Sequence, residues 1–263
     1  MQNILMVLLL LIVTIQAVPV SAETAESKGQ AIALEADRRD NGWNDAESKL
    51  TMILRNRHGD ESRREIRGKS LEVSGDGDKT LTIFDTPKDI KGTAFLNFTH
   101  KVGDDEQWLY LPALKRVKRI ASRNKSGSFL GSEFAYEDIA SQEVEKYSYK
   151  WLRDEVYLGM ECFVVESYPV DKKHSGYTRL VSWVDKEHYR RWKTEFFDRK
   201  KSHLKTLTFA DYKLYLGQYW RAEEMNMVNH QNGKSTQLIW NSYQFRTGLT
   251  DSDFTKNSLK RVK

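Results

Sequence analysis

Apolar and polar residues alternate with a period of two over most of the chain. Residues 46–56 are typical: Leu50, Met52 and Leu54 fall on one face, with polar side chains between them. A strand turns successive side chains to opposite faces, so this spacing predicts a β-strand with one buried face. The same reading applies to residues 61–70, 80–84, 94–98, 108–111, 116–120, 147–156, 162–168, 177–184, 191–198, 205–212, 220–229 and 236–245. The separators are short and rich in Gly, Asn, Asp and Lys, which implies an antiparallel meander of neighbouring strands. So many consecutive strands predict a barrel, closed or nearly closed, or a strongly curved sheet. The period changes at three places. Residues 23–40 predict a helix, with Ile32, Leu34 and Ala36 as its apolar positions, Asn41-Gly42 as its stop and Trp43 packing back on it. A helical turn is expected over 137–140, and a short C-terminal helix from the cap at Asp251. The fold class expected is mainly β with a few helices (α+β).

The first residues carry a different signal. Residues 4–15 form an unbroken apolar run, followed by Val20-x-Ala22. The run is too short to span a bilayer of about 30 Å, and the small residues after it fit a cleavage site. Residues 1–22 are therefore expected to be a signal peptide, and 23–263 a single exported domain. Cys162 is the one cysteine, so no internal disulfide forms and the core alone must hold the fold. Its Cys-Phe-Val-Val context predicts a packed thiol on a buried strand. The net charge is +5, which with export argues against nucleic acid and for an anionic surface or an acidic protein.

Signs of catalysis are missing. His58, His100, His174, His188, His203 and His230 show no metal-binding spacing. There is no nucleophile elbow, phosphate loop or dinucleotide fingerprint. Adjacent acids such as Asp104-Asp105-Glu106 sit in turns, where solvation is their ordinary state. No catalytic residue, metal or cofactor is expected.

One stretch stands apart. Trp108, Leu109, Tyr110 and Leu111 form an apolar run that Pro112 ends. Lys115, Arg116, Lys118, Arg119, Arg123 and Lys125 follow, and no acid lies between Trp108 and Ser132. The Gly-Ser-Phe-rich segment after that reads as an exposed, shaped loop. Such a surface suits a partner that is both apolar and anionic, such as a phospholipid or an acylated protein. A hairpin with a solvated cationic face is the competing reading.

Several phrases occur together: Pro87-x-Asp89-x-Lys91-Gly92-Thr93-x-Phe95-Leu96, Trp108-Leu109-Tyr110-Leu111-Pro112-Ala113, Lys115-Arg116-Val117, Gly127-Ser128-Phe129-x-Gly131-Ser132, Tyr136-Glu137-Asp138 and Trp183-Val184-Asp185. With Gly42-Trp43 they resemble the outer-membrane lipoprotein-sorting (LolA-like) family, in the branch found beside resistance-nodulation-division (RND) transporters. The resemblance spans residues 23–263. It implies an unclosed β-barrel with a helical lid, and a periplasmic carrier that shelters an acyl chain and exchanges it with a membrane or an RND-type transporter. The cargo stays open among free lipid, a lipoprotein acyl group and another apolar molecule. A docking module that carries nothing, or a lipid-modifying enzyme, are the alternatives. Phe95, Trp108, Tyr110, Phe129, Leu130, Met225, Met227, Leu238 and Trp240 are the candidates for an apolar lining, with core packing as the alternative for each. Lys115, Arg116, Lys118 and Arg119 are the candidates for contact with headgroups or the partner.

Overall fold

The computed structural model describes residues 23–260, so the expected signal peptide lies outside the described residues. Thirteen strands form one antiparallel sheet. They are β1 (Asp45–Arg55), β2 (Glu61–Leu71), β3 (Lys79–Phe84), β4 (Ala94–Phe98), β5 (Glu106–Leu111), β6 (Arg116–Ile120), β7 (Tyr147–Tyr157), β8 (Met160–Pro169), β9 (Tyr177–Asp185), β10 (Arg191–Asp198), β11 (His203–Tyr215), β12 (Tyr219–Asn229) and β13 (Ser235–Phe245). Neighbours in sequence are neighbours in space, except at two places. β13 pairs with β1, which joins the two halves of the meander, and β6 and β7 are the unpaired edges. The sheet is therefore not closed.

Period-two alternation fixes which side of each strand is buried. Leu50 and Met52 of β1, Phe84 of β3, Phe95 of β4, Leu109 of β5, Leu180 of β9, Phe196 of β10, Leu207 of β11, Met227 of β12 and Leu238 of β13 share one apolar cluster. Strands far apart in the sheet order thus meet in one core, so the sheet curls around this face. The outer face carries smaller clusters, including Leu81, Ala94, Leu96 and Trp108 under Phe254 and Leu259 of the C-terminal segment. That segment forms two short 3-10 turns, Asp251–Asp253 and Ser258–Lys260, in place of the expected helix.

Two elements cover the inner face. The first is the connection from β6 to β7, residues 121–146, which contains the short helix α2 (Tyr136–Ile139). It does not loop outward as its Gly and Ser content suggests. Phe129 and Phe134 are buried in the main core, and the rings of Phe95 and Tyr136 lie 5.1 and 5.5 Å from that of Phe129. Apolar burial outweighs the turn composition here, and polar anchors fix the loop on two sides. Arg64 of β2 donates to the Leu130 carbonyl at 2.8 Å, and Lys205 of β11 pairs with Asp138 at 2.6 Å.

The second element is helix α1 (Ala25–Asp40), capped by Thr24, whose Oγ1 accepts from the Ser27 amide at 3.0 Å. Ile32 faces the sheet and packs with Val165 and Val184, while Leu34 points away and is exposed. Gly29 permits the close seating on β7, since a β-carbon there would stand 2.7 Å from the Trp151 amide nitrogen. Trp43 does not pack on the helix as expected; it joins Ala46, Tyr219 and Phe245 at the start of β1. Glu72 secures the connection by accepting from the amides of Gly42 and Asn44 at 2.5 and 2.8 Å.

Candidate functional site

The two covers divide the interior. Beneath the 121–146 segment the space is filled with the chain's own side chains. Beneath α1 a cavity of about 1200 Å³ remains. Ile32, Ala33 and Ala36 of α1 form its roof. Their i, i+4 spacing puts Ile32 and Ala36 on one helix face. The walls come from Tyr149 of β7, Val165 of β8, Val184 of β9, Phe209 and Tyr212 of β11, Trp220 and Met225 of β12 and Tyr243 of β13. Aromatic and aliphatic groups from six strands thus converge on one space.

The lining is not wholly apolar, contrary to the continuous hydrocarbon surface that an acyl carrier implies. Charged groups ring the apolar walls, and most of them are paired. Arg221 binds Asp40 of α1, and Arg190 binds Asp185 at 2.8 Å. Arg38 and Arg39 share Glu35 at 2.7 Å each, which holds that carboxyl down at about 2. Asp76 is also held at about 2, by a hydrogen bond with His100. Desolvation acts in the other direction on the walls. It raises the hydroxyls of Tyr149, Tyr212 and Tyr243 well above the ordinary phenol value. It lifts Asp78 to about 7 with help from Glu143, and raises Glu143 as well. Burial at these walls therefore makes charge costly there.

A second pocket of about 340 Å³ lies in the open seam, between Gln107 and Ile120 on one edge and Tyr147 and Pro169 on the other. At its rim Asp104, Asp171 and His174 come close enough to share a cation. Lys125 already holds Asp171 at 2.7 Å, so the charge there is answered by the chain itself.

Of the nine apolar candidates, Met225 lines the large cavity. Phe95, Phe129, Met227 and Leu238 are buried in the main core, and Leu130 and Trp240 pack against it. Trp108 and Tyr110 face the other side of the sheet, under Phe254 and Leu259. Strand parity explains this, because it is Leu109 and Leu111 that turn inward on β5. Lys115, Arg116, Lys118 and Arg119 are exposed on and beside the edge strand β6. Arg119 lies 3.8 Å from Glu106. Sequence reasoning missed the roof of α1 and the aromatic walls at Tyr149, Tyr212 and Trp220. The helical spacing of Ile32 and Ala36 was the available signal for the roof.

Comparison with known proteins agrees with this architecture. A family model whose members are described as uncharacterized proteins matches residues 76–261. No curated protein matches the chain. A crystal structure titled as an outer membrane lipoprotein-sorting protein domain, from Vibrio parahaemolyticus, is 59% identical. That alignment covers 90% of this chain and 100% of the other, with a TM-score of 0.88. A DUF1329 family protein from Desulfovibrio piger is 29% identical over 90% of this chain and 99% of its own, with a TM-score of 0.84. A LolA superfamily protein from Nitrosomonas europaea shares the fold at 22% identity and a TM-score of 0.70, over 88% of this chain and 98% of its own. The chain belongs to the outer-membrane lipoprotein-sorting, LolA-like family.

Proposed function

We propose that the protein carries a lipid, or the acyl group of a lipoprotein, across the periplasm in the cavity beneath α1. The observation that supports this most directly is the cavity of about 1200 Å³ left inside a sheet whose edges do not join. Exposing a fatty chain to water costs roughly 0.8 kcal/mol per methylene, so a carrier needs a sheltered hollow and a movable cover. Helix α1 would serve as that cover: it lies on the inner face and is tied to β1 through the short connection at Gly42–Asn44. Met225 and the aromatic walls would contact the chain, and Met adapts to varied hydrocarbon shapes. The exposed cations on and beside β6 would meet an anionic membrane surface or a transporter, of RND type by the resemblance, during exchange. Native mass spectrometry of protein purified without detergent tests the proposal. Bound lipid is the expected result, and an empty protein that also fails to bind apolar fluorescent probes overturns it.

One observation favours a second reading. The interior beneath the 121–146 segment is filled by Phe129, Phe134 and their neighbours, as suits a docking module that carries nothing. In that case a transporter partner would bind the empty protein, and apolar probes would find no site.

A further inference from the structure

Glu143 is 7% exposed, lines the large cavity, and makes no side-chain hydrogen bond or ion pair among the described residues. A buried carboxylate normally has a partner, because desolvating its charge is costly. Glu143 lies against the 72–78 turn: a β-carbon built at Gly77 would stand 2.9 Å from its Oε1. The next residue, Asp78, lines the same cavity, and its carboxylate accepts only a long hydrogen bond, 3.4 Å, from the Val73 amide. Two under-partnered carboxyls thus sit together at one end of the cavity. The cations nearby are committed elsewhere: Arg221 to Asp40, Lys146 to Asp105, and Lys101 to Glu145 at 3.8 Å.

Building on the carrier reading above, we propose that Glu143 and Asp78 bind the ammonium group of an amine-bearing amphiphile whose hydrocarbon lies under α1. The ammonium supplies the donors and the positive charge that the pair lacks, and the apolar walls supply the rest of the fit. The environment of the pair is consistent with this. Each carboxyl is raised by burial; Asp78 is raised further by Glu143, Glu72 and Asp40, and Glu143 by Asp37 and Glu145 against the opposing Lys101 and Lys146. Asp78 therefore holds a proton up to about pH 7, and an ammonium ion would replace it.

The test uses the purified protein and displacement of an apolar fluorophore by decylamine, decanol, decanoate and butylamine. Decylamine should bind about tenfold more tightly than decanol, the size expected of a charge-assisted hydrogen bond. Its affinity should rise from pH 6 to pH 8, while that of decanol stays level. Butylamine should bind more than a hundredfold more weakly than decylamine, because it lacks most of the chain. Glu143→Gln and, separately, Asp78→Asn should bring the decylamine and decanol affinities together. Arg191 also lines the cavity without an ion-pair partner among the described residues, and decanoate probes it. Equal affinity for all three ten-carbon probes, or tighter binding of decanoate, overturns the amine assignment and leaves the carrier reading standing. Equal binding of butylamine and decylamine overturns the amphiphile. Failure of every probe overturns both proposals. The comparison of headgroups on the unaltered protein needs no variant to fold.

Discussion

Replacing Phe129 with alanine tests whether the 121–146 segment is core or cargo surface. Phe129 is 1% exposed, and its ring lies 5.1, 5.5 and 6.1 Å from those of Phe95, Tyr136 and Phe84. Truncating a fully buried Phe costs about 3–5 kcal/mol through lost burial and the cavity left behind. The aromatic pairs, at about 0.5–1.5 kcal/mol each, place the effect in the upper part of that range. For a chain of this length each kcal/mol lowers Tm by about 2–4 °C, so a fall of about 8–20 °C is expected. Urea denaturation and thermal melting measure it. The new void is apolar and should stay dry, so benzene should raise the Tm of the variant and not that of the parent. Binding of an apolar probe beneath α1 should persist, because Phe129 does not line that cavity. A loss below about 1 kcal/mol, or abolished probe binding at unchanged stability, would show that Phe129 belongs to the cargo surface and that the division of the interior is mistaken.

Further outcomes follow from other features. Lys205→Met removes the ion-pair partner of Asp138 in a site where the two side chains are 4% and 5% exposed, so it should cost about 3–5 kcal/mol by urea denaturation. Lys205→Met with Asp138→Asn should cost less than the sum of the single changes. Between pH 3.8 and about 7 folded Asp78 keeps a proton that the unfolded chain releases, so this group makes stability fall as pH rises through that window. Urea midpoints from pH 4 to 8 should therefore show Asp78→Asn gaining on the parent as pH increases. Changing Lys115, Arg116, Lys118 and Arg119 together to glutamate should weaken co-sedimentation with anionic vesicles tenfold or more in low salt, at about 1 kcal/mol per cation near the surface. That difference should vanish near 1 M salt, where screening acts within about 3 Å.

The strand plan was legible in the sequence because alternation of period two is a local signal. Each of the thirteen expected strands forms, and their short turns dictate neighbours in space. Helix α1 was legible through its cap and its Asn-Gly stop, and buried Cys162 through its apolar neighbours. Local pattern also marked the cationic run of β6 as exposed. It could not say which side of each strand faces the hollow, since both faces of β4 and β5 carry large apolar groups. Trp108 and Tyr110 fell on the outer side for that reason. Only the tertiary fold decided that the 121–146 segment turns inward, because Phe129 and Phe134 gain more from burial than their Gly and Ser neighbours gain from water. The same folding brought Asp78 and Glu143, far apart in sequence, to one cavity wall. Their chemistry comes from losing water and from each other's charge, and neither is written in the residues on either side of them.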